Sequence, residues 1–409
     1  MTIDHAALAA HYSRFRVGER ILLTGHAHQA WPDVGFDAQA RAWTDAAEFV
    51  DGKWTQAEEQ AGRVRDGFAR LLGDRAANIA LGQNVHELLV RLLSALPLQT
   101  RRRLVTTDAE FSSVRRQLAR LAEEGIEVVQ VAARPVETAS ERLAAAVDDR
   151  TACVFASSVF YATAEILPGL DLVAGASLKV GAALLVDAYH HLNVVPFDIH
   201  ATGLESAFVT GGGYKYCQLG EGNAFLRVPE DCRLRPVITG WFAEPPAAAG
   251  PAPHPERGDT RARDAEPVGY GDGAAAFAGA TYDPASHYRA AAVFAFHRQH
   301  GLTPPRLRDI SRHQVTLAVK AFAELDLDPA VASIDAIPGE RRAGFLAIRT
   351  PHAAAVAAAV RADGLFVDAR GGALRVGPAP YVRDDQLTAG IEALGVALRR
   401  VPRAPMQSD

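Results

Sequence analysis

Lys215 sits in the run TGGGYKYC at 210–217, directly after a strand-like apolar segment and three glycines. Glycines let backbone approach a neighbour closely or adopt positive φ, so a lysine placed here can be held in a crowded site. Asp187 ends the apolar run ALLVDA (183–188), 28 residues earlier. A carboxylate where an apolar strand ends is costly unless a cation meets it, and a pyridinium nitrogen is such a cation. A lysine for a Schiff base and an aspartate that keeps a ring nitrogen protonated are the pair that pyridoxal phosphate needs to act as an electron sink.

Two further features fit beside that pair. The run NIALG (78–82) leads into QNVHELLVRLLSAL, whose first turn is Gln83–His86. The free N–H groups and the dipole of a helix start favour an anion such as a phosphate. Phe111, in TTDAEFSSVRRQL, follows another strand end; it can cover a cofactor ring or pack in the core.

The elements that must position these residues are legible in the pattern. Short apolar runs at 78–81, 103–107, 127–133, 151–159, 183–188, 206–211 and 224–228 alternate with longer amphipathic stretches. That alternation predicts an α/β fold with a mostly parallel sheet covered by helices. Residues 5–20 and 36–72 read as helical from their three- and four-residue apolar spacing. Residues 243–276 are rich in Pro, Gly, Ala and charge without periodicity, which reads as a flexible loop or an active-site lid. Helices are expected at 286–300 and 305–325. GFLAIRT (344–350), a helix at 353–363 and LRVGPAPYV (374–382) suggest a smaller α+β layer.

Composition bounds the function. The 409 residues exceed what one core holds, so two or three domains are expected. A net charge of −5 and a pI near 6.3 exclude a strongly basic nucleic-acid footprint and give no broad attraction to an anionic membrane. No run reaches the roughly 20 apolar residues that cross a bilayer, and the N-terminus does not read as a signal peptide. Three cysteines, Cys153, Cys217 and Cys232, form neither a disulfide framework nor a metal motif. A cytoplasmic protein without a bound metal is expected.

Together these residues resemble fold-type I pyridoxal phosphate enzymes of the class V aminotransferase group, kynureninase in particular. VDAYHHLNVVPFDIHATGLESAFVTGGGYKY resembles that family's Asp-x-x-His segment followed by its Tyr-Lys-Tyr loop, and Phe111-Ser112-Ser113 resembles its Phe-Pro-Ser stretch. Thr239-Gly240-Trp241-Phe242 resembles its Gly-Trp-Trp element, and Arg375 matches its Arg-x-x-Pro. Gly25 and Pro32 have the spacing of its N-terminal turn, so the resemblance spans roughly 20–382. It implies a large cofactor-binding domain over 51–285 with a mostly parallel seven-stranded sheet. A smaller α+β C-terminal domain would cover 286–409, and an N-terminal segment, 1–50, would pack with it.

Carried over by position, the resemblance makes Lys215 the Schiff-base lysine, Asp187 the partner of the ring nitrogen and His190 a neighbour of the cofactor. Val85 and His86 would offer backbone N–H groups to the phosphate, with Tyr214 and Trp241 as side-chain contacts and Phe111 stacked on the ring. Arg375 would clamp the substrate α-carboxylate. Thr281 resembles a phosphate contact given by a neighbouring subunit, which implies a homodimer with shared active sites.

Three departures fall in this frame. His26-Ala27-His28 replaces an Asn-Ser turn, Ala280-Thr281-Tyr282-Asp283 replaces a Ser-Asn-Pro-Pro element, and Thr163-Ala164 replaces a Thr/Ser-Gly. The first two lie where substrate is contacted, so His26, His28 and Tyr282 become candidate substrate residues. The expectation is a kynureninase-like hydrolase that cleaves the Cβ–Cγ bond of a γ-keto amino acid in a rebuilt pocket, with Tyr216 or a lid residue as the acid. The alternative is transamination or β-elimination on a different amino acid. A cysteine desulfurase is disfavoured because no cysteine follows Cys232. A cofactor-binding protein without turnover is disfavoured because Lys215, Asp187 and Arg375 are all intact.

Overall fold

The computed structural model describes residues 4–245 and 267–401. Most of the 243–276 segment, read above as a lid, therefore lies outside the described residues. Seven strands form the central sheet, in the order Ile79–Gly82, Ala224–Arg227, Phe208–Gly212, Ala183–Asp187, Thr151–Ser157, Arg103–Thr107 and Glu127–Val131. All neighbours from Phe208–Gly212 to Glu127–Val131 pair in parallel; Ala224–Arg227 runs antiparallel to both of its neighbours. The mostly parallel seven-stranded sheet expected from the sequence is thus present.

The side chains explain the order. Thr151–Ser157 is buried at every position, as are Phe208–Gly212 and Ala224–Arg227. Continuous apolar runs of this kind suit strands covered by helices on both faces. Glu127–Val131 carries exposed Glu127 and Gln130 and takes the edge. The helices Ser112–Glu123, Ala139–Ala145 and Leu170–Val180 supply crossovers between parallel strands. In such a sheet the ligand site is expected outside the carboxyl ends of the strands.

A second core surrounds a four-stranded antiparallel sheet, Asp368–Arg370, Ala373–Val376, Leu346–Arg349 and Ser333–Ile334. The helices Pro304–Glu324, Ala353–Ala362 and Asp384–Arg400 contribute to it. Ile21–Leu22 pairs with Leu365–Phe366, and Tyr12 and Leu23 are buried in the same cluster. The next helix, Val34–Phe49, packs instead on Ala285–Gln299. No described helix is long and apolar enough to cross a membrane.

The helix read over 36–72 is two helices, Val34–Phe49 and Trp54–Leu72, joined by a short 3-10 turn. Val50 has φ of 53° there, ahead of the turn-forming Asp51-Gly52 pair. The stretch 5–20 is helical only to Ala9, continues as 3-10 to Phe15 and ends on Arg16 at φ 54°. The strand Asp368–Arg370 and the helix Asp384–Arg400 are additions to the elements read from the pattern.

Trp54–Leu72 lies close against Ala285–Gln299 because Gly67 faces Phe294. A Cβ at Gly67 would sit within 2.6 Å of Phe294 Cγ and nearer still to the ring edge. Gly67→Ala gains about 0.5–1 kcal/mol of helix propensity, but overpacking against a buried ring costs roughly 1–3 kcal/mol. The steric loss wins, so a net destabilisation of about 1–2 kcal/mol is expected from the denaturant midpoint. An unchanged midpoint would mean that Phe294 can move aside.

Candidate active site

Asp187 and Lys215 reach the same cavity because neighbouring strands end together. Ser157 pairs in register with Asp187, and Asp187 with Thr210. The glycines after Thr210 are needed for the approach: a Cβ at Gly212 would lie 2.6 Å from Tyr189 Cζ, and one at Gly213 would lie 2.6 Å from Leu219 Cβ. The chain can then turn and bring Lys215, only 6% exposed, into a cavity of about 290 Å³. Gln83–His86, Phe111, Asp187, Tyr189, His190 and Tyr214 line that cavity with it.

Within the cavity, Lys215 Nζ donates to His190 Nε2 at 2.6 Å and lies 4.5 Å from the Tyr189 ring centroid. Burial pushes the Lys215 ammonium below its ordinary pKa, the Asp187 charge opposes this, and the charges of Arg375 and Arg370 add to it. Burial also holds His190 well below the usual imidazole value, reinforced by Lys215. A neutral His190 that accepts at Nε2 carries its hydrogen on Nδ1, which has no partner among the described residues. Asp187 Oδ1 accepts from the Tyr189 N–H at 2.9 Å. Burial raises the Asp187 pKa, while that hydrogen bond and the Lys215 charge pull it down.

At the other end, Asn84 caps the helix Val85–Ala95 by accepting the Glu87 N–H at 3.0 Å. The Val85 and His86 N–H groups remain without intrahelical partners, as first-turn groups do, and both residues line the cavity. The residues fit pyridoxal phosphate: a buried amine, a buried carboxylate for a ring cation, free amides at a helix start and an aromatic wall. Phe111 supplies that wall and meets Tyr161 edge-on, with centroids 5.3 Å apart.

Glu110 adjoins the cavity lining through Ser157 and was not singled out in the sequence. It is 3% exposed. Its Oε1 accepts from Thr107 Oγ1 (2.8 Å) and the Ser157 N–H (3.1 Å), and its Oε2 accepts from Ser157 Oγ (2.6 Å). It thus ties together the ends of two strands, one leading to Phe111 and the other beside Asp187. The hydrogen bonds lower its pKa, but burial and the Asp187 charge prevail and lift it from 4.5 to about 7. The folded chain therefore holds this proton where the unfolded chain has lost it, so this group's contribution to stability falls as pH rises from about 4.5 to 7. Glu110→Gln should remove that part of the slope in denaturant titrations run across the window; an unaltered slope would assign it elsewhere. The only available signal was a glutamate one residue before Phe111, too little to separate it from a surface acid.

The remaining candidates are placed variously. Tyr214 is on the cavity wall. Arg375, 3% exposed, is held by Asp368 through Nε (2.7 Å) and Nη2 and donates Nη1 to the Tyr161 carbonyl at 2.6 Å. It lines a second, adjoining cavity rather than the first, so a substrate carboxylate must compete with Asp368 for it. His26 and His28 diverge. His26 is fully buried, stacked on Phe345 at 4.6 Å, with Nε2 3.7 Å from Asp368 Oδ2. Burial brings its pKa down to about 4. His28 is exposed, stacks on Tyr214 at 4.9 Å and lies 3.1 Å from Glu221 Oε1.

Trp241, Thr281 and Tyr282 lie off the cavity lining of this chain. Trp241 is 54% exposed and donates Nε1 to Thr281 Oγ1 at 3.2 Å; Tyr282 packs with Trp54 and Phe242. Tyr216 is buried behind the lysine, with its hydroxyl unpartnered and close to Gly344, away from the cavity.

No protein-family model matches the chain. An uncharacterized aminotransferase of Bacillus subtilis is 23% identical over 354 residues, covering 86% of this chain and 87% of that protein. The isopenicillin N epimerase of Streptomyces clavuligerus is 27% identical over 214 residues, 50% of this chain and 53% of the epimerase. Among solved structures, a mutant of C-DES with glycine covalently linked to its pyridoxal phosphate cofactor superposes with a TM-score of 0.80 at 15% identity, over 96% of this chain and 99% of that one. The cysteine desulfurase of Thermococcus onnurineus, in its apo form, gives 0.78 at 15% identity, over 98% and 99%. The chain thus has the fold of the fold-type I pyridoxal phosphate-dependent transferases, and in sequence it is similar to an aminotransferase and an epimerase.

Proposed function

We propose that the chain uses pyridoxal phosphate to act at the α-carbon of an amino acid, with transamination as the reaction that the site supports best. The observation that carries this is the buried Lys215 amine, held beside His190 and sharing its cavity with Asp187. Bound there, the cofactor supplies an electron sink for the charge left when the α-proton departs. Lys215 Nζ would hold the cofactor covalently and then carry the α-proton; its depressed pKa keeps a larger share of the amine neutral and reactive. Asp187 would keep a proton on the ring nitrogen. Val85 and His86 would hold the phosphate through their amides, and Phe111 would cover one ring face.

Hydrolytic Cβ–Cγ cleavage is the second reading, favoured by the Tyr214-Lys215-Tyr216 loop. It needs an acid near the γ-carbonyl, and Tyr216 is buried away from the cavity. Proton transfer between Lys215 and the substrate is enough for transamination, and the B. subtilis relative is described as an aminotransferase. Desulfuration lacks its thiol: none of the three cysteines lines the cavity. A second copy of the chain would complete the site. Val237, Ile238 and Trp241 form an exposed apolar stretch, 81%, 52% and 54% exposed, next to Thr281, and covering it would bring Thr281 towards a partner's phosphate site.

Incubating the cofactor-loaded enzyme with amino-acid and keto-acid pairs, and separately with L-kynurenine and 3-hydroxykynurenine, separates the readings. New keto acid and amino acid in equal amounts support transamination. Alanine plus an aromatic acid overturns it in favour of hydrolysis.

A further inference from the structure

A second cavity, about 300 Å³, adjoins the first, and Tyr161 lines both. Four arginines, Arg342, Arg349, Arg370 and Arg375, face it against a single carboxylate on its wall, Asp335. Two of them are neutralised in place. Asp335 takes Arg349, and also Arg134 at 3.0 Å; Asp368 takes Arg375. Arg342 and Arg370 are not. Arg342 is 6% exposed and donates to the main-chain carbonyl of Asp335 at 2.9 Å, a partner without charge. The nearby carboxylates that favour its charge, Asp335 and Glu165, are both already bonded to Arg134. Arg370 lines the cavity, is exposed and has no ion-pair partner among the described residues, its guanidinium 5.7 Å from the Phe111 ring centroid.

A buried guanidinium without its own counter-charge is costly and calls for an anion. The planar fork of arginine matches a carboxylate in two-point contact. Arg370 stands near Phe111 and Tyr161 lines both cavities, which puts that anion one wall away from the Lys215 amine. We infer that this cavity receives a second anionic group of the substrate, so that the substrate is an amino acid whose side chain ends in a carboxylate, held by Arg370 and Arg342. The inference rests on the pyridoxal phosphate reading above and narrows its substrate class.

The test is a spectral titration of the cofactor-loaded enzyme with two isosteric pairs, L-glutamate against L-glutamine and L-aspartate against L-asparagine. An acidic member should half-saturate at a concentration at least about tenfold lower than its amide, the size of one charge-assisted hydrogen bond. Arg370→Gln, a change at an exposed position, should erase that preference while leaving the cofactor spectrum intact. Glutarate should raise the melting temperature of the same enzyme more than its monoamide does, a readout independent of turnover. Equal response to acid and amide, or a preference that survives in Arg370→Gln, overturns the acidic substrate and leaves the amino-acid reading standing. No response to any amino acid by a protein that still loads the cofactor overturns both.

Discussion

Lys215→Ala should bind pyridoxal phosphate without the visible absorbance of the covalently attached form, and its turnover should fall by at least about 10⁴-fold. Both losses follow from one atom. Nζ is the only described amine on the wall of the first cavity, and it meets His190 Nε2 at 2.6 Å. A covalent nucleophile that also moves the α-proton removes both functions when deleted, and positioned proton transfer alone is worth about 10²–10⁴. Stability should move the other way, because a lysine buried this deeply is costly to charge. A variant that still shows covalently bound cofactor would place the reactive amine elsewhere.

The second large effect is expected at Asp187. In Asp187→Asn the side chain keeps its size and can still accept the Tyr189 N–H, but it can no longer balance a protonated ring nitrogen. Turnover should fall by about 10²–10³, the usual size for one preorganised electrostatic contact, with cofactor still bound through Lys215. Loss of this charge should also bring the Glu110 pKa down, since Asp187 helps to raise it. Unchanged turnover would mean that the carboxylate does not face the ring nitrogen.

What the sequence disclosed and what it withheld separate along physical lines. Asp187 and Lys215 were legible because each breaks a local rule: a carboxylate ends a buried strand and a lysine follows three glycines. Their juxtaposition then follows from parallel strands ending in register. The sheet itself was legible because strands buried on both faces read as continuous apolar runs. Arg375 was legible as a residue, but its engagement by Asp368 was not. That contact depends on a hairpin whose short strand, Asp368–Arg370, has no apolar signal. Arg370 and Arg342 were invisible for the same reason, since a cluster assembled from a hairpin and a loop has no spacing along the chain. Glu110 looks like any surface acid until the strands at Thr107 and Ser157 close over it. His26 and His28 were singled out together as substrate residues, but the turn at 25–27 sends one ring into the core against Phe345 and the other out onto Tyr214.

The most direct test of the central claim, that Lys215 moves the α-proton of an amino acid on pyridoxal phosphate, is hydrogen exchange. The cofactor-loaded enzyme would be incubated in heavy water with a panel of amino acids that includes L-glutamate, and the α-position followed by proton NMR. The expected result is loss of the α-proton signal for at least one amino acid with the native enzyme and none with Lys215→Ala. No exchange at any α-carbon by a fully loaded native enzyme, or equal exchange by Lys215→Ala, would contradict it.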